Sequence, residues 1–132
     1  MCTRRDGWMG MNWIRQEKRL QIYLRDGLAC VYCGRGVEEI SLTLDHIEPH
    51  SQGGGNEATN LVTACQHCNK SRQDRSLQSW AKTAAKYAGV TPATVVRRVQ
   101  KQAWISPDEY KAEAKKMIER RGSVAKALAK IG

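Results

Sequence analysis

Cys30-Val31-Tyr32-Cys33, Leu44-Asp45-His46-Ile47-Glu48-Pro49, Asn60-Leu61 and Cys65-Gln66-His67-Cys68-Asn69 follow one another between residues 30 and 69. Each Cys-x-x-Cys pair lets two thiolates reach one ion from a tight turn, and two pairs complete a tetrahedral site. The gap from Cys33 to Cys65 holds 31 residues (65 − 33 − 1). That exceeds the roughly 15–20 of many short zinc modules, and the excess leaves room for a polar segment between the knuckles. Cys30, Cys33, Cys65 and Cys68 are therefore expected to hold a structural zinc, with an iron–sulfur cluster or a redox pair as the alternatives. His67, inside the second knuckle, is expected at the surface, because four cysteines already saturate zinc.

The segment between the knuckles reads as strand, loop, strand. Alternation of apolar and polar residues over 40–44 marks a half-buried strand that delivers Asp45 and His46 to its end. Side chains of adjacent strand residues diverge, so one can meet a cation while the other faces water. A neutral histidine is a suitable base near pH 7. Residues 51–56, with Gly53, Gly54 and Gly55, form a loop. A second strand over 60–64 leads into the second knuckle, and a helix from about Cys68 to Arg75 follows. Asn69 at its start can bring a second oxygen to a hard cation, and the Asn60 amide can fix the loop that carries His46.

Working outward, the chain has 132 residues and a formal net charge of +9. Residues 1–29 carry six Lys/Arg against three Asp/Glu, residues 30–75 four against six, and residues 76–132 twelve against four. An acidic centre between basic flanks suits a phosphodiesterase, with carboxylates for a cation and lysine and arginine for the phosphate backbone. A polyanionic partner is expected, with nucleic acid leading. Met1 to Gly10 is polar and contains Arg4, Arg5 and Asp6, and no apolar run approaches the ~20 residues of a membrane span. A cytoplasmic protein without membrane attachment or disulfides is expected, which leaves Cys2 as a lone thiol.

Taken together, these motifs resemble the HNH endonuclease family, in its zinc-containing, four-cysteine branch. The resemblance runs from about Trp13 to Leu77 and implies an α+β fold: a ββα-metal (His-Me finger) core with flanking N- and C-terminal helices. It implies His46 as the general base, Asp45 and Asn69 as ligands of a catalytic divalent ion, Asn60 as the orienting asparagine, and products with 5′-phosphate and 3′-hydroxyl ends. Asn69 stands where the family name has its last histidine, an H-N-N variant also seen in phage junction-resolving nucleases. An amide oxygen is a harder ligand than imidazole, which favours Mg²⁺ or Mn²⁺. The expected function is a metal-dependent DNA endonuclease. The alternatives are a zinc-stabilised nucleic-acid-binding module without catalysis and a structure-selective junction resolvase. The sequence leaves monomer and homodimer both open. His50 either touches the scissile phosphate or caps the glycine loop. Lys70, Arg72 and Arg75 either hold the phosphate backbone or form a solvated helix face.

The flanks read as helices. Residues 12–25 place Trp13, Leu20, Tyr23 and Leu24 on one face, with Arg15, Lys18, Arg19 and Arg25 around the rest. Asp26-Gly27 ends that helix. Beyond the site, helices are expected over 77–87, from Thr91-Pro92 to about Gln102, from Ser106-Pro107 to Arg121-Gly122, and over 123–131. The organisation is a core over 1–76 and a basic helical extension over 77–132. Ala85, Gly89, Val90 and Val95 resemble a helix-turn-helix, but Arg98 stands where an apolar residue is wanted. Pro92 and Ala93 would occupy base-reading positions without hydrogen bonds to offer. A plain helical hairpin packed against the core is the preferred reading. In either case Arg97, Arg98 and Lys101 supply backbone affinity.

Overall fold

The computed structural model describes residues 14–131, so Cys2, Asn12 and Trp13 lie outside the described residues. Among the described residues, one two-stranded antiparallel sheet and six α-helices give the expected α+β class. Strand β1 (Leu42–His46) pairs with β2 (Leu61–Cys65), from Leu42 opposite Cys65 to His46 opposite Leu61. Asp45 and His46 are thus the last two residues of β1, which lies two residues further along than alternation suggested. The expectation of a half-buried strand is corrected as well. Thr43, Leu44 and Asp45 are buried in succession, as is all of β2, because both faces of the hairpin are covered.

A two-stranded sheet is marginal alone and needs packing against helices. On one face Leu44 and Leu61 join Leu20, Ile22 and Tyr23 of α1 (Gln16–Arg25). Ala114 of α5 (Lys111–Arg121) and Val124 of α6 (Val124–Ile131) complete that cluster. On the other face Val62 and Ala64 join the cysteines, with Trp80, Ala81 and Ala84 of α3 (Leu77–Ala88) and Val95 and Val99 of α4 (Pro92–Trp104). This second cluster runs unbroken from Cys30 to Ala103, so the expected boundary at 76/77 crosses a continuous core. The α3–α4 pair is built into that core.

Local signals explain the helix ends. Ser76 and Thr91 accept from the backbone N–H three residues on, and Pro92 opens α4. Gly89 closes α3 at φ +70°, a left-handed turn that favours glycine. Helix α2 (Gln66–Arg72) begins two residues before the expected Cys68, because the Cys65 sulfur caps it and accepts from Cys68 N at 3.3 Å. Before α5, residues Pro107–Tyr110 form a 3-10 turn capped by Ser106.

Arg25 departs from its expected place on the solvated face of α1. Its side chain and that of Asp26 are fully buried and paired at 2.8 Å. The guanidinium donates to Leu61 O at 2.7 Å and Ala58 O at 3.0 Å. Asp26 accepts from Thr63 N at 2.8 Å and from Gln102 Nε2 at 3.1 Å. The pair thereby ties α1 to β2 and α4. Truncating one partner strands the other charge in the interior, so Arg25→Ala should cost about 3–5 kcal/mol of unfolding free energy. Urea denaturation followed by circular dichroism would read it, and a loss within the scatter of surface substitutions would refute it.

Candidate functional site

The four cysteine sulfurs lie within 4.8 Å of one another. The Sγ atoms of Cys33 and Cys65 are 3.8 Å apart, too far for a disulfide. Four sulfurs placed tetrahedrally about 2.3 Å from one ion are themselves about 3.8 Å apart, so the donor set fits zinc. The knuckles are preorganised. Cys33 N and Cys68 N donate to Cys30 Sγ and Cys65 Sγ at 3.5 and 3.3 Å. Val31 N donates to Thr63 O, fastening the first knuckle onto β2. A hydrogen bond from Cys68 pulls the Cys30 thiol down to about 5. Burial pushes Cys33 up to about 11, and donation to Cys30 together with burial pushes Cys68 up as well. Cys30 thus gives up its proton readily, whereas burial and contact with the Cys30 sulfur hold the protons of Cys33 and Cys68. A central dication removes that obstacle. His67 is exposed, stacks edge-on to Tyr87 and is not part of the cluster, as expected.

Asp45 and His46 diverge at the end of β1. Asp45 turns inward, toward the knuckles. Its Oδ2 accepts from the Tyr32 hydroxyl and, at 2.7 Å, from Arg72 Nη1. The Arg72 side chain is completely buried. The expectation that Arg72 touches the phosphate backbone is therefore corrected, because its guanidinium is enclosed between α2 and β1. The signal was present in the spacing: Arg72 lies four residues after Cys68, hence on the same inward face of the helix. Arg75 is drawn inward too, 5.3 Å from the Trp80 ring, donating to Ser71 O at 3.2 Å and to Thr83 Oγ1 at 3.3 Å. Its side chain is half-buried, not enclosed as that of Arg72 is. Lys70, Arg97, Arg98 and Lys101 are exposed.

His46 is half-buried, with Nε2 2.8 Å from Asn56 Oδ1. With that oxygen as acceptor, Nε2 carries the proton and Nδ1 is the basic nitrogen. Asn56 comes from the glycine loop, and no sequence signal distinguished it from any other loop asparagine. The His50 ring lies 5.8 Å from the His46 ring, centroid to centroid. Asn60 spans the base of the loop: Oδ1 accepts from Glu48 N at 2.8 Å, and Nδ2 donates to Gly55 O at 2.9 Å and Glu48 O at 3.2 Å. Its backbone oxygen accepts from Ile47 N at 2.8 Å. From α2, Asn69 Nδ2 donates to Leu44 O at 3.5 Å, which sets its amide beside the residue preceding Asp45.

Gly54 is the other fixed point of the loop. A Cβ there would stand 1.8 Å from Glu48 O and 2.9 Å from Asn60 Nδ2, and the backbone oxygen cannot yield. Gly54→Ala should push the loop, and Asn56 with it, away from His46. A displacement on the order of 1 Å at a reacting group costs about 10²-fold in rate. Side-by-side cleavage rates and melting temperatures would check this. An alanine variant as fast as the parent would show the loop to be irrelevant to His46.

Residues 30–75 match the family described as HNH endonuclease. Among curated proteins the chain is similar to the CRISPR-associated endonuclease Cas9 of Corynebacterium diphtheriae, 31% identical over 108 residues, 77% of this chain and 10% of that protein. It is also similar to the CRISPR-associated endonuclease Cas9 of Actinomyces naeslundii, 36% identical over 77 residues, 57% of this chain and 7% of that protein. The chain thus spans a tenth or less of the length of these relatives. The longer alignment reaches beyond the family segment into the flanking helices. No solved structure matches the chain significantly.

Proposed function

Because residues 30–75 belong to the HNH endonuclease family, we propose that this chain is a metal-dependent DNA endonuclease with β1, β2 and α2 as its ββα-metal core. The observation that carries the proposal is the divergent pair at the end of β1. The His46 imidazole is oriented by Asn56 at 2.8 Å, while the Asp45 carboxylate is held from behind by Arg72 and Tyr32. In this reading His46 takes a proton from water at its basic nitrogen as the oxygen attacks phosphorus. Asn56 fixes the imidazole tautomer, and Asn60 fixes the loop that supplies Asn56. Asp45 and Asn69 are a hard oxygen pair suited to Mg²⁺ or Mn²⁺. The Asn69 Nδ2 bond to Leu44 O leaves its Oδ1 as the donor atom for that ion. A bound dication would supply charge stabilisation for the pentacovalent phosphate and the leaving 3′ oxygen. His50, exposed beside His46, is proposed to contact the scissile phosphate.

The substrate reading rests on α4. Arg97, Lys101 and Trp104 are spaced along one exposed helix face, Trp104 is 82% exposed, and α4 carries Arg97, Arg98 and Lys101 without an acidic residue. Cations for phosphate and an aromatic for base stacking suit a nucleic-acid strand. Among the described residues no helix is long and apolar enough to cross a membrane. The test is incubation of the purified chain with supercoiled plasmid in Mg²⁺ or Mn²⁺, then with linear duplex, single-strand and four-way-junction DNA. Nicking supports the proposal. Binding without cleavage in every divalent ion overturns it in favour of a binding module, and a strong preference for the junction redefines it as a resolvase.

A further inference from the structure

We propose that Tyr32 and Arg72 are positioning residues that hold Asp45 by one carboxylate oxygen and thereby aim the other at the catalytic cation. The inference rests on the reading of Asp45 as a ligand of that cation.

Both residues reach the same atom, Asp45 Oδ2. Arg72 does more. Nη1 also donates to Tyr32 Oη at 3.0 Å and to His46 O at 2.9 Å, Nη2 donates to Ile47 O at 2.5 Å, and Nε donates to Arg75 O at 3.1 Å. One guanidinium thus fixes three successive residues, Asp45, His46 and Ile47, where β1 turns into the loop. The Tyr32 ring is fully buried and set edge-on to Trp80, with centroids 5.6 Å apart. Burial and the neighbouring Asp45 raise its hydroxyl well above the ordinary tyrosine range, so it remains a donor. Neither side chain is exposed enough to meet DNA.

Each of these residues belongs to one arm of the cysteine clasp. Tyr32 lies inside the first knuckle, and Arg72 lies one helical turn beyond Cys68. The thiolate cluster therefore sets both of the groups that grip Asp45.

Charge alone would argue against an arginine here. A fixed cation paired to a metal-binding carboxylate weakens attraction for a second cation. Counter-ion and positioning roles thus predict opposite signs. If Arg72 only neutralises Asp45, removing its charge strengthens divalent binding. If it positions Asp45, removal weakens binding despite the electrostatic gain.

The experiment is Mn²⁺ titration followed by the paramagnetic resonance of the free ion, on zinc-loaded full chain. Parent, Tyr32→Phe, Arg72→Gln and Asp45→Asn are compared, with zinc content and melting recorded for each. Tyr32→Phe keeps the ring against Trp80 and should weaken Mn²⁺ binding about tenfold, the scale of one charge-assisted hydrogen bond. Arg72→Gln should weaken it at least as much. If Arg72→Gln fails to fold, Tyr32→Phe decides alone. Mn²⁺ binding unchanged or tighter in a folded, zinc-loaded Tyr32→Phe overturns the inference. Parental binding by Asp45→Asn would instead sink the ligand reading on which the inference stands, and the inference with it.

Discussion

His46→Ala should abolish plasmid cleavage while leaving the fold and the zinc content intact. A positioned general base contributes about 10²–10⁴-fold, which places the variant near the detection limit of a nicking assay. The structural cost should be small. His46 is half-buried at the end of β1, its ladder pairing with Leu61 is a backbone matter, and its carbonyl remains bonded to Arg72. What disappears is the imidazole, and with it the contacts to Asn56 and the His50 ring. Substitutions away from packed features usually change stability by roughly 0.5 kcal/mol or less, so melting temperature and zinc content serve as controls. The comparison with Gly54→Ala is informative, because that change leaves the imidazole in place and moves only its surroundings. If His46→Ala cleaves at the parental rate under saturating Mg²⁺, another group activates the water and the assignment of the base is wrong.

Much of the site could be read from spacing, because metal ligation and turn chemistry are local. The paired cysteines, the end of β1, the glycine loop and the caps at Ser76 and Thr91 all depend on residues within a few positions of one another. The hidden part depends on contacts across the fold. Tyr32 is an ordinary residue in a knuckle until β1 brings Asp45 to it from 13 positions away. Arg25 looks solvated beside Lys18 and Arg19, and only the packing of α4 and β2 over α1 buries it. Arg72 and Arg75 carry the charge that suggests phosphate binding. A buried carboxylate claims Arg72 first, since a guanidinium with several fixed acceptors is stable inside the protein, whereas Arg75 lies half-buried against Trp80. The strand boundaries moved for a related reason. Alternation describes a sheet with one wet face, and here helices cover both.

The largest stability effect is expected at the cysteines. Structural zinc in small modules contributes about 10–16 kcal/mol of apparent binding free energy at neutral pH. An entire domain is stable by only about 5–15 kcal/mol. Losing the ion should therefore unfold the surrounding core. Cys65→Ser is the sharpest variant, because Cys65 is at once a candidate ligand, the last residue of β2 and the cap of α2. Without it α2 loses its start, Arg72 loses its place against Asp45, and the cluster shared with α3 and α4 loses its centre. The expected result is a chain with no cooperative melting transition, little bound metal and no cleavage. Chelation of the parent chain should lead to the same state more slowly. Added Mg²⁺ should not rescue either sample, because a hard cation does not replace a soft one on four thiolates. Metal analysis settles the identity of the ion: one zinc per chain supports the clasp, whereas iron and sulfide would make it a cluster. A parental melting curve after complete removal of zinc would show that the helices on both sides of the hairpin suffice to hold the fold, and the cysteines would then need another role.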